Sequence, residues 1–260
     1  MALEPIGDGV WRAQVWRHWY VIRGANGGLP AAQATRAMML AVGDPERLPR
    51  SLTLHYLEAV TEGPLDYHVT IERVGRTATA VSLRVRRGET VIALGLGWLG
   101  EWRTDAPDWT ELAMPNVLPP EDAPRREPIQ GVPPMLVNYD MRLALGAPPM
   151  SGADRSLLGA WMRTARPRPV DHAALAAYSD ALFPAVWTRL TTGAFMPTLD
   201  LTIHWRAPMP PGEHPWVLGK FWSDRVAGGV FEENGELWSE SGELLLQSRQ
   251  LAVLRVPSQD

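Results

Sequence analysis

Asp180 sits in company that makes a carboxylate conspicuous. In the stretch 171–205 (DHAALAAYSDALFPAVWTRLTTGAFMPTLDLTIHW), Ala173, Ala176, Ala177, Phe183 and Trp187 recur at three- and four-residue spacing. That spacing predicts one apolar helical face over 171–189 with Asp180 in its middle, and Pro184 should end or kink the helix or mark a local bend. An ionised carboxylate among such neighbours is costly unless it is paired or hydrogen-bonded. A strand should follow, in which alternation puts Leu199, Leu201, Ile203 and Trp205 on one side and Thr198, Asp200, Thr202 and His204 on the other. A buried acid beside a row of hydroxyls has the makings of a site. The same residues also suit a core-facing helix whose Asp is satisfied by a backbone N–H, followed by a half-exposed strand. This stretch alone does not choose.

Gln250 is the second polar residue in an apolar setting. By alternation it shares a face with Leu246, Ala252 and Leu254, while Gln247 and Arg249 point to the other side. An amide on such a face needs partners. Asp180 with a hydroxyl would supply them, as would a neighbouring backbone.

The elements that would carry these residues come in two similar sets. Residues 9–22 look like one or two strands, 23–28 (RGANGG) a turn, and 29–42 a helix with Pro30 tolerated in its first turn. Strand-like runs follow at 51–60, 65–75, 77–88 and 89–100. Residues 101–135 are rich in proline and charge without a sustained period, and read as a linker. The second half then repeats strands, helix and strands. Ser-Leu-Thr-Leu-His-Tyr at 51–56 aligns with Asp-Leu-Thr-Ile-His-Trp at 200–205, and a Gly-Glu pair introduces the last strand of each half, at 88–89 and 242–243. Agreement in order and context points to an internal duplication. We therefore expect an α+β double hot-dog fold. Residues 1–100 and 136–260 would each wrap an antiparallel sheet around a helix, and the two sheets would join edge to edge.

Composition narrows the chemistry. The chain of 260 residues has no cysteine, which excludes disulfides, thiolate metal sites and a Cys nucleophile. A formal net charge of −4 gives no electrostatic reason to expect nucleic acid or an anionic membrane as partner. No run approaches the roughly 20 apolar residues of a bilayer span, and the start lacks a basic region followed by an apolar one. A cytoplasmic protein is the expectation. The six histidines show no metal-ligand spacing, so no metal and no cofactor is expected. Gly-Leu-Gly-Trp-Leu-Gly at 95–100 ends a strand and leads into no helix, so it reads as a glycine-rich strand rather than a pyrophosphate cradle.

The sequence resembles the double-hot-dog acyl-CoA thioesterases of the thioesterase II type. In the first half the resemblance rests on Asn26-Gly27-Gly28 opening the helix and on SLTLHYL at 51–57. In the second it rests on Ala177-Tyr178-Ser179-Asp180, Pro197-Thr198-Leu199-Asp200 and Ser248-Arg249-Gln250. It implies that Asp180, Thr198 and Gln250 hold the water that attacks an acyl thioester, with Thr202 and Asp200 as alternatives to Thr198. It also implies an acyl-CoA or acyl-carrier substrate, bordered by Asn26, Gly27, Gly28, Thr202 and His204. The N–H groups of Gly27 and Gly28 would be candidates for the oxyanion; Arg125 and Arg126 read first as part of a solvated charged loop, with contact to CoA phosphates as the alternative. The absence of cysteine and of a Gly-x-Ser-x-Gly elbow fits direct water attack. Two rivals stand beside this reading. One is a hot-dog hydratase or dehydratase using His204 or His55 with an acid; the other is a non-catalytic acyl-CoA or acyl-carrier binding protein. Acyl length and assembly into a homo-oligomer stay open.

Overall fold

A computed structural model describes residues 2–125 and 133–256. The first half comprises β1 (Glu4–Gly7), β2 (Val10–Val15), α1 (Gly28–Val42), β3 (Leu48–Tyr56), β4 (Gly63–Val74), β5 (Ala78–Arg87) and β6 (Thr90–Gly100). The second comprises β7 (Tyr139–Gly146), β8 (Leu157–Thr164), α2 (His172–Tyr178), β9 (Thr198–Trp205), β10 (Val217–Trp222), β11 (Val226–Ala227), β12 (Val230–Ser239) and β13 (Leu244–Val253). The strands form one 13-stranded sheet in the order β1-β2-β4-β5-β6-β3-β9-β13-β12-β10-β8-β7, with β11 beside β12. This is a double hot-dog: two helix-bearing antiparallel sheets fused at β3 and β9. Among the described residues no helix is long and apolar enough to cross a membrane.

The fusion obeys a pseudo-two-fold axis. Thr53 pairs with Thr202, their hydroxyls 3.1 Å apart, and on either side Leu52 pairs with Ile203 and Leu54 with Leu201. These are the residues aligned from sequence, so each half meets its own copy. Inside the curved sheet, α1 packs on α2 through small side chains. Ala31, Ala32, Ala34 and Ala37 of α1 and Ala173, Ala174, Ala176 and Ala177 of α2 are buried, which lets the two backbones approach closely.

The helix expected over 171–189 is only seven residues long. Asp171 caps its start by accepting from Ala174 N–H at 2.7 Å. Pro184 is a covalent bar to a longer helix. The carbonyl of Asp180 would accept from residue 184 in a continued helix, and residue 184 is a proline without an N–H. The chain turns instead, and a short 3-10 segment follows at Ala185–Thr188. Asp180 therefore lies just beyond α2, not within it.

The described part of the expected linker, 101–125, forms no helix and no strand beyond one bridge of Arg125 to Arg142. It crosses the outer face of the second-half sheet, where Met114, Val117 and Ala123 pack against Trp161, Trp216, Leu218 and Trp238. Trp161 Nε1 donates to the Leu118 carbonyl at 2.9 Å, and Arg142 donates to the carbonyls of Pro120 and Glu121 at 2.6 and 3.0 Å. Arg126 lies outside the described residues.

Candidate functional site

The turn after α2 presses Asp180 against the start of α1. Its Oδ2 accepts from Gly28 N–H at 3.0 Å, and its carbonyl, left free by Pro184, accepts from Asn26 Nδ2 at 2.8 Å. Tyr56 from β3 donates to the Gly27 carbonyl at 2.7 Å and closes the other side. The two glycines are needed for this approach. A Cβ on Gly28 would come within 2.6 Å of the Ala177 carbonyl and 3.2 Å of Asp180 Cβ, and one on Gly27 within 3.3 Å of Asp180 Oδ2. The Gly28 N–H expected on an oxyanion is thus donated to Asp180, where the helix N-terminus favours the ionised form.

Gln250 reaches the same carboxylate from β13. Its Nε2 lies 3.4 Å from Asp180 Oδ1 and donates to Glu233 Oε1 at 2.9 Å, while its Oε1 accepts from Thr198 at 2.9 Å. Simple alternation had set Thr198 with Asp200, Thr202 and His204, on the face away from Gln250. A β-bulge reverses this. Leu251 pairs with Asp200 but Ala252 pairs with Thr198, so Leu199 is an extra residue in β9. Leu199 is 38% exposed, and Thr198 turns inward onto the face of Ala252 and Gln250. Thr202 and Asp200 stay on the outer face, Thr202 bonded to Thr53. His204 is exposed on that face. The structure therefore joins Asn26, Gly27, Gly28, Asp180, Thr198 and Gln250, and leaves Thr202 and His204 away from them.

Glu233 was missed from the sequence. It is the cross-strand neighbour of Gln250, 4% exposed, and its second oxygen accepts from Ala185 N–H. The signal was the one used for Gln250: Phe231, Glu233, Gly235 and Leu237 share one face of β12, and Glu233 is its only acid. Burial pushes Asp180 up to about 6, tempered by the donors from Gly28 and Gln250. Burial pushes Glu233 further, to about 8, tempered by Ala185 N–H and Gln250 and reinforced by Asp180. Two neighbouring carboxyl groups whose environments separate them divide one proton between two roles. Burial thus favours the protonated form more strongly at Glu233 than at Asp180.

Asn26, Gly27, Asp180 and Thr198 form the polar part of a cleft of about 400 Å³, whose apolar walls include Tyr56, Val60, Met135, Leu182, Phe183 and Trp187, and Gln250 bonds to Asp180 and Thr198 without itself lining it. Asn26 Oδ1, buried beside it, has no protein partner. No histidine lines the cleft among the described residues. A larger cavity of about 810 Å³ lies between β2 and β8 over the helix pair, but Asp180, Thr198 and Gln250 do not line it. Its Arg12 and Arg168 are paired with Asp66 and Asp171. The smaller cleft has the chemistry.

The duplication supplies an internal control. Strand registers superpose Gln250 on Gly97, Glu233 on Val81 and Thr198 on Pro49. In the first half α1 continues where α2 stops, and the sulfur of Met38 sits over Gly97 so closely that no Cβ fits there. Among the described residues the polar cluster occurs once, and its first-half counterpart is filled with apolar atoms.

Comparison with known proteins agrees with this geometry. Residues 16–100 match the acyl-CoA thioesterase N-terminal domain and residues 115–254 the acyl-CoA thioesterase C-terminal domain. No curated protein matches the chain. Among solved structures, a conserved hot-dog protein of unknown function from Alicyclobacillus acidocaldarius is 28% identical with a TM-score of 0.88, over 99% of this chain and 97% of that one. The acyl-CoA thioesterase II TesB2 of Mycobacterium marinum is 22% identical with a TM-score of 0.78, over 100% and 98%. More distant is the dehydratase domain of PpsC from Mycobacterium tuberculosis, 16% identical with a TM-score of 0.56, over 94% and 93%.

Proposed function

The chain belongs to the acyl-CoA thioesterase family, matched in both halves, and from that premise we propose that it hydrolyses acyl thioesters of CoA or an acyl carrier. The observation that carries the proposal is that Asp180 and Thr198, joined by Gln250, face one apolar-walled cleft. A water at Asp180 Oδ1 gives its proton to the carboxylate while its oxygen attacks the thioester carbonyl carbon. Thr198 Oγ1 can accept from that water, and Gln250, bonded to Asp180, Glu233 and Thr198, holds carboxylate and hydroxyl in place, converting a random encounter into a held geometry. The tetrahedral intermediate collapses with cleavage of the C–S bond. The proton on Asp180 passes to the departing thiolate, leaving free acid and thiol. The apolar walls suit an acyl chain, and excluding bulk water strengthens the polar contacts there.

A dehydratase would need a histidine beside the acid. His204 and His55 are exposed, and neither lines the cleft, so this rival has no support at the site.

Thiol release from short, medium and long acyl-CoAs tests the proposal. Turnover by the wild type that Q250A reduces by ~10²-fold supports it, a loss typical of removing one group that orients reacting atoms. Binding of acyl-CoA without release of thiol from any chain length or from an acyl-carrier thioester would replace it with a binding function.

A further inference from the structure

Gln250 presents its amide nitrogen to two carboxyl groups at once, Asp180 at 3.4 Å and Glu233 at 2.9 Å. We infer that Glu233 is a positioning residue for the hydrolysis proposed above, fixing which way round the Gln250 amide lies. The inference rests on that reading for its catalytic consequence, but its geometry stands apart.

A primary amide can be turned over with almost no change of shape, exchanging its donor and acceptor ends. Turned over, Gln250 would set its oxygen against carboxyl oxygens of both Asp180 and Glu233. Its present orientation gives Oε1 to Thr198 and N–H groups to Asp180 and Glu233. Asp180 alone holds it weakly, because its contact is the longest in the cluster. Glu233 is the firmer constraint and is itself held, since Ala185 N–H fixes its other oxygen. Pro184 has no N–H for the Asp180 carbonyl, which Asn26 satisfies instead, and the 3-10 segment that follows it begins with the Ala185 N–H that holds Glu233. The sheet does not demand an acid here, because Val81 fills the matching place in the first half. Oε1 of Glu233 accepts from Gln250 and Oε2 from Ala185 N–H, so in this arrangement it meets Gln250 as an acceptor.

The test is E233Q, which keeps shape and volume. With its oxygen on Ala185 N–H, the new amide points its NH2 at Gln250 and forces that side chain to turn. Protein labelled with 15N-glutamine reads the orientation from the side-chain amide signal of Gln250, identified by its loss in Q250A. Steady-state kinetics of E233Q, Q250A and the double variant read the consequence. We expect the Gln250 signal to move while those of Gln33 and Gln247 hold. E233Q should lower kcat by ~10-fold or more with KM within about 2-fold. In the Q250A background the same change should alter kcat by less than ~2-fold, because Glu233 acts through the missing amide. An unmoved Gln250 signal, a moved signal with wild-type kcat, or losses that multiply in the double variant would each overturn the inference. Should E233Q not fold, E233D withdraws the same acceptor by one methylene and supplies both readings. Absence of thioester hydrolysis by the wild type would defeat the functional reading alone, since the amide signal still decides whether Glu233 sets Gln250.

Discussion

Replacing Asp180 by Asn keeps the size of the side chain and an acceptor for Gly28 N–H, but removes the proton acceptor. D180N should therefore lower thiol release by ~10²-fold or more while the protein stays folded. A second prediction separates two threonines that alternation treats alike. T198V should lower kcat by ~10-fold or more, whereas T202V, on the outer face, should leave it within about 2-fold; steady-state kinetics on one good acyl-CoA checks both. Activity should also rise with pH as Asp180 ionises, with an apparent midpoint near its value of about 6, read from kcat/KM between about pH 4.5 and 7.5. Asp180 and Gln250 were legible from their apolar surroundings, and Glu233 carried the same signal unread. Thr198 was reachable only through the resemblance, because a one-residue bulge is invisible to a period of two. Thr202 and His204 were misplaced for the same reason: with the bulge, the inward-facing set is Thr198, Leu201, Ile203 and Trp205.

Between elements, the decisive contact is the start of α1 against the turn after α2. G28A should push the Ala177 carbonyl and Asp180 away, because the added Cβ meets backbone at 2.6 Å and cannot be relieved by a rotamer change. We expect it to lower kcat by ~10²-fold, and to lower the melting temperature, both measurable on purified protein. Strand positions were readable because each run of alternating residues ends at a turn signal. The length of α2 was not. The apolar spacing continued through Phe183 and Trp187, which the structure uses instead as cleft walls with rings 5.2 Å apart. Pro184 marked the break, and its consequence for the Asp180 carbonyl depended on Asn26 arriving from the other half.

Over the whole molecule, duplication supplies the frame and asymmetry supplies the site. The repeat of 51–56 at 200–205 was visible in the sequence and becomes the seam of the 13-stranded sheet. That the first-half counterpart is closed by Met38 over Gly97 was not visible, since it depends on packing across α1 and β6. The buried acids also mark the stability of the fold. Asp180 and Glu233 are raised from ordinary values of 3.8 and 4.5 to about 6 and about 8, so between these limits the folded chain binds more protons than the unfolded one. Stability should fall as pH rises across that window. Melting temperatures should decline from about pH 5 to pH 8, and E233Q should flatten the later part of the decline; parallel curves would contradict the upward shift of Glu233 by burial.

The central claim is that Asp180 activates water rather than attacking the thioester itself. Single-turnover hydrolysis with enzyme in excess over acyl-CoA, in water enriched in 18O, tests this directly. The account predicts one 18O atom in the free acid from the first turnover and none in Asp180. Unlabelled acid with 18O left in the Asp180 carboxylate, or no acid released, would contradict it.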